Sequence, residues 1–82
     1  GHSKNRITMK IKTTEAKVIK GLEEIEEAGG IVDWKKQKVK ARGIVAEYGF
    51  NRDTEVLTVN IIDKPFFATE SMIEEKLTEY FN

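Results

Sequence analysis

Residues 31–63, IVDWKKQKVKARGIVAEYGFNRDTEVLTVNIID, decide the fold, because apolar and polar side chains alternate through them and turn-forming residues interrupt the alternation. A period of two is that of a strand with one buried face. Val32 and Trp34 flank Asp33, a polar turn is expected at Lys36-Gln37, and Val39 and Ala41 resume the alternation. Pairing Trp34 with Val39 and Val32 with Ala41 puts all four on one face and sets Asp33 against Lys40 on the other, a favourable cross-strand pair. Parity changes at Gly43: apolar positions are odd up to Ala41 and even at Ile44, Ala46 and Tyr48, which requires a tight Arg42-Gly43 turn or a bulge. A further hairpin around Asn51-Arg52-Asp53-Thr54 pairs Tyr48 with Leu57, Ala46 with Val59 and Ile44 with Ile61, so one register yields three inward pairs.

Working outward, Ile7, Met9 and Ile11 alternate with Thr8, Lys10 and Lys12, the pattern of another half-buried strand. Thr13 or Thr14 can cap a helix in which Val18, Ile19, Leu22 and Ile25 form an apolar stripe, and Gly29-Gly30 end it. Beyond Lys64-Pro65, Phe66-Phe67 precede a second helix, opened by Thr69 or by a capping box of Ser71 with Glu74, with Ile73, Leu77 and Tyr80 or Phe81 on its buried side. The order β-α-β-β-β-β-α predicts an α+β domain: an antiparallel sheet with both helices packed on one face and the other face open.

The 82 residues are 39% hydrophobic and 34% charged with a mean hydropathy of −0.48, within the globular range and enough for one domain. Gly1-His2-Ser3 reads as the remnant of an expression tag, leaving residues 4–82 as the single domain. The absence of Cys excludes disulfides and thiolate chemistry and fits a reducing, cytoplasmic setting; no apolar run approaches a membrane span. Neutrality overall conceals a sorted charge. Segments 13–30 and 66–82 hold nine Glu against three Lys, a net −6, and the rest carries eleven Lys and Arg against five Asp and Glu, a net +6.

Little in the chain suits catalysis, so a non-enzymatic role is expected. His2 and Ser3 fall in the remnant, and Ser71 is accounted for as a helix cap. Gly29-Gly30 follow a helix instead of preceding one, unlike a phosphate loop. Glu23 and Glu27 lie one turn apart, yet without an Asp-rich loop they describe a solvated helix face, so neither metal nor cofactor is expected. Trp34, Tyr48 and Phe50 could stack on bases or sugars, but the parity of Trp34 and Tyr48 turns them toward the core.

Two surfaces remain as candidates. Lys10, Lys12, Lys38, Lys40 and Arg42 would form a cationic patch on the open sheet face, suited to an acidic protein, an anionic surface or the acidic side of a second copy. Alternating Lys is also the ordinary dress of a solvated strand, and overall neutrality without a well-placed aromatic argues against nucleic acid. Outward Ile31, Val45, Val56 and Ile62 would make a dimer face only if contiguous. The second candidate is an apolar pocket between the sheet and the C-terminal helix, bounded by Trp34, Tyr48, Phe67 and Leu77, which must compete with the demand of a small core for every apolar side chain.

Gly29-Gly30 leading into a strand, Gly43-Ile44 at the parity change, Lys64-Pro65-Phe66-Phe67, then Met72-Ile73-Glu74 through Leu77 to Phe81 resemble the small bacterial polyhydroxyalkanoic acid system, or granule-associated, proteins, or a related uncharacterised bacterial family of similar length. That resemblance implies association with a storage-polymer granule and brings no catalytic or ligand residues; Lys36-Gln37 and Arg42-Gly43-Ile44-Val45 depart from its glycine-richer bends. The element order is also similar to the helix-grip folds, including the TATA-binding protein repeat and the lipid-binding plant allergens, in which a curved sheet clasps a helix. Three roles follow as expectations: a binding or adaptor domain working through the basic face, a carrier of a small apolar ligand, or a weak nucleic-acid binder.

Overall fold

The computed structural model describes residues 7–82, so the tag remnant assigned to residues 1–3 lies outside the described residues. Its elements run β1 (Ile7–Lys12), α1 (Glu15–Glu27), β2 (Ile31–Asp33), β3 (Lys38–Ala41), β4 (Ile44–Asn51), β5 (Val56–Asp63) and α2 (Glu70–Phe81). The five strands form one antiparallel sheet, as the alternation predicts, and the strands lie in it in the order β1-β5-β4-β3-β2. β1 and β2 therefore sit at opposite edges, and α1 must carry the chain between them. Thirteen residues of helix span about 20 Å, and four inter-strand gaps come to about 19 Å, so α1 has the length needed to cross the whole sheet.

Inward side chains from β1 and β5 meet in strict opposition: Ile7 with Ile61, Met9 with Val59 and Ile11 with Leu57. Leu57 is wholly buried, and with Met9, Ile11, Val59 and Ile61 it faces Val18, Leu22 and Ile25 of α1 and Ile73 and Phe81 of α2 in one core. The helices also pack on each other. A Cβ at Gly21 would lie 2.5 Å from Phe81 Cδ1 and 2.6 Å from the Tyr80 carbonyl oxygen, so only glycine lets the end of α2 come this close. Buried Thr13 secures the same corner. Its hydroxyl donates to the Phe81 carbonyl, one of the orphan acceptors of the last helical turn, and its N–H donates to the Glu55 carbonyl at 2.9 Å. Thr14, not Thr13, caps α1, accepting from the Lys17 N–H at 3.3 Å. Thr69 caps α2, accepting from the Met72 N–H, which places Ser71 inside the helix and not at a capping box.

Every strand faces the side its alternation predicts, but two registers are displaced by two residues. Val32 opposes Val39, not Ala41, and Tyr48 opposes Val59, not Leu57; Ala46 opposes Ile61, and Phe50 takes the place beside Leu57. Loop length is the reason. Both hairpins close through four residues, Trp34–Gln37 and Arg52–Glu55, where shorter turns were expected. In the first, the Asp33 carboxylate accepts from the Lys35 and Lys36 N–H groups; in the second, the Asn51 side-chain carbonyl accepts from the Asp53 and Thr54 N–H groups. Each loop ends on a left-handed residue that is not glycine, Gln37 at φ 58° and Glu55 at φ 56°. The tight alternative at residues 42–43 is realised, with Arg42 at φ 52° and Gly43 at φ 80°, the signs of a type I′ turn. A bulge between Val45 and Ala46 then adjusts the β4–β5 ladder.

Candidate functional site

The core thins toward β3 and the start of β4. Here the inward residues are Val39, Ala41, Ile44 and Ala46, two of them no larger than a methyl group, and helix side chains do not fill the space above them. What remains is a cavity of about 340 Å³. Its floor is Ala41, Ala46, Val59 and Ile61; Leu22 and Ile25 of α1 form one wall, and Ile73, Leu77 and Phe81 of α2 form the other. Tyr48 and Tyr80 add half-buried rings. The mouth is marked by lining residues that are themselves exposed: Gly29 after α1, Arg42 in the β3–β4 turn, Phe67 in the β5–α2 linker, and Met72 and Lys76 on α2.

The linker that brings Phe67 to the mouth is a turn. The Ala68 N–H donates to the Pro65 carbonyl at 3.1 Å, the Lys64 ammonium donates to the Ala68 carbonyl at 2.8 Å, and buried Ala68 anchors the turn in the core. Phe66 and Phe67 occupy its tip. Their rings meet edge to face with centroids 5.6 Å apart, and Phe66 is 95% exposed.

Of the four residues expected around an apolar pocket, Tyr48, Phe67 and Leu77 line the cavity and Trp34 does not. Trp34 stands in the β2–β3 loop instead of a strand, 44% exposed, its indole N–H donating to a Glu26 carboxylate oxygen at 3.1 Å. The expectation that it joins the core is thereby corrected: the four-residue loop removes it from the sheet. Burial holds the Tyr48 phenol above its ordinary pKa, with the Asp33 and Glu26 carboxylates pushing the same way.

Lys10, Lys12, Lys38 and Lys40 stand on the sheet face away from the helices, exposed between inward neighbours. They form two pairs, not one patch. β5 and β4 separate β1 from β3, about 14 Å at ordinary strand spacing, and Thr58, Asn60 and Glu47 occupy the space between. Glu47 lies 3.9 Å from the Lys38 ammonium, Asp33 sits opposite Lys38 on β2, and the Lys12 ammonium donates to the Thr54 carbonyl at 3.0 Å. Arg42 departs from this group altogether, since its turn carries it to the cavity mouth. Outward Ile31 and Val45 are divided by Lys40, Val56 lies beside Lys12 toward the other end of the sheet, and Ile62 adjoins only Val45, at the β4–β5 bulge, so the four do not merge into one face.

The chain matches no protein-family model, no curated protein and no solved structure. Function is therefore read from geometry alone. Among the described residues no three His, Cys, Asp or Glu side chains gather as a metal site would require, and no helix is long and apolar enough to cross a membrane. Sequence reasoning missed Ala41, Ala46, Met72 and Lys76 as cavity residues. A signal existed for Lys76, the one cation in a helix with four Glu, adjacent to the inward Leu77.

Proposed function

We propose that this domain binds a small, largely apolar molecule in the cavity between the sheet and its two helices. One observation carries the reading: in a chain of 82 residues, where each apolar side chain is needed to fill a core, about 340 Å³ stays open beneath an exposed mouth. Ligand pockets begin at about 300 Å³, and a Leu/Ile/Phe-lined cavity of about 150 Å³ already takes up benzene. Taking a water's share of liquid, about 30 Å³, as the measure, the space suits a chain of roughly ten carbons or two fused rings. Ten carbons at about 0.8 kcal/mol per buried methylene gain about 8 kcal/mol, which sets micromolar affinity as the ceiling before the cost of association is subtracted.

The test is titration of the protein with 1-decanol, followed by calorimetry and by methyl chemical shifts. Saturable binding with shifts concentrated at Ala46, Ile61, Ile73 and Leu77, and few at Lys10 or Thr58 on the opposite face, is the expected outcome. Failure of decanol and of the bicyclic 2-naphthol to bind below millimolar concentration refutes it. An adaptor role for Lys10, Lys12, Lys38 and Lys40, including attachment to a storage granule, draws less support, since Glu47 and Asp33 partly neutralise the face that would make the contact. Nucleic-acid binding through the same lysines meets the same obstacle.

A further inference from the structure

From the cavity mouth we infer the class of ligand, an inference that rests on the preceding reading: an amphipathic anion whose apolar chain lies in the cavity and whose negative end meets Arg42 and Lys76. Among the described residues these two are the only charged side chains in the cavity lining, and no Asp or Glu joins them. Both are exposed, whereas the floor residues Ala46, Val59 and Ile61 are buried, so charge is confined to the exposed part of the lining, where a polar head would remain in water. That distribution runs against the local composition. α2 carries Glu70, Glu74, Glu75 and Glu79 and a single Lys, and the residue that faces the cavity is the Lys.

Arg42 makes the same point through its backbone. It holds the first central position of a type I′ turn at φ 52°, where Asn or Gly would sit with less strain. A cation stands where the turn alone would favour another residue. No ion pair engages Arg42 among the described residues, and Lys76 has only a loose contact, 3.8 Å, with exposed Glu79. Both are available to an incoming anion.

Three ligands with one chain separate this inference from the reading beneath it: decanoate, 1-decanol and decylammonium, titrated calorimetrically at low salt and neutral pH. Decanoate is expected to bind about fivefold to tenfold more tightly than decanol, the sum of two solvent-exposed charge contacts, and decylammonium more weakly than either. In the double variant Arg42→Gln, Lys76→Gln the three affinities converge, and added salt narrows the wild-type preference in the same way. Equal affinities in the wild type, or a decanoate preference that survives in the double variant, overturn the inference and leave the apolar cavity standing. If none of the three binds, both fall together.

Discussion

Ala46→Leu converts the cavity into a measurement. Ala46 is 6% exposed in the middle of β4, opposite Val39 and Ile61, with its side chain forming part of the cavity floor. Leucine adds three carbon atoms, and placing them in an apolar space instead of water is worth about 2.4 kcal/mol at about 0.8 kcal/mol each. Fixing the longer side chain returns about 0.5–1 kcal/mol, for a net gain of about 1.5 kcal/mol. Against a total of about 4–12 kcal/mol for a domain of this length, the increment is large; at about 4–8 °C per kcal/mol it raises Tm by about 6–12 °C. Urea unfolding followed by circular dichroism is the assay, with the midpoint moving up at unchanged slope. Decanol affinity should fall at least tenfold in the same variant, because protein atoms now occupy the ligand's volume. If the helices instead close onto the sheet in solution, leucine overpacks a full core and the variant loses about 1–3 kcal/mol. That loss would refute the cavity and the function built on it.

Gly21→Ala should destabilise the protein by about 2 kcal/mol in urea although alanine is the better helix former by about 1 kcal/mol, because the new methyl group meets Phe81 and the Tyr80 carbonyl; an unchanged or raised midpoint would mean that α2 docks elsewhere. Gln37→Gly and Glu55→Gly, singly, should each stabilise by about 0.5 kcal/mol, since relief of a left-handed side chain slightly exceeds the added flexibility of the unfolded chain; a loss in both variants would argue against four-residue loops. Tyr48 contributes to the alkaline limb. Its phenol titrates higher in the fold than in the unfolded chain, so the stability it contributes is complete below about pH 10 and declines as pH rises through its folded pKa. Tyr48→Phe should flatten that decline in thermal melts taken between pH 9 and 11.5, and an unaltered slope would contradict it.

The side of every strand was legible because burial enforces it: Met9, Ile11, Leu57, Val59 and Ile61 have nowhere else to face. Offsets along the strands were not, since parity is blind to a displacement by two and the loops that set the offset turn on Gln37 and Glu55, residue types that do not announce a left-handed backbone. The better clue lay one step earlier, in Asp33 and Asn51, whose side chains collect the N–H groups of the loop. Trp34 misled for a related reason: an apolar residue at the right parity reads as strand even where the strand has ended. Phe67 and Leu77 could be picked out from sequence as cavity residues, whereas the open volume could not. Volume is a balance between side chains far apart in the chain, and it depends on Gly21 drawing α2 against α1 at one end while Ala41 and Ala46 leave the other end empty.

The sheet order also sets a sequence of assembly. β2 to β5 are three successive hairpins, each nucleated by neighbours, whereas β1 must find β5 across a separation that places Ile7 opposite Ile61. Closing a loop of that length costs about 2 kcal/mol more than closing a four-residue hairpin, so the meander is expected to form early and the edge strand, with both helices, to dock late, an order that slower folding in Ala46→Gly than in Ile7→Ala at equal loss of stability would check. The chamber is thus built floor first and roofed last, and a molecule already resting on the meander would speed the final docking step.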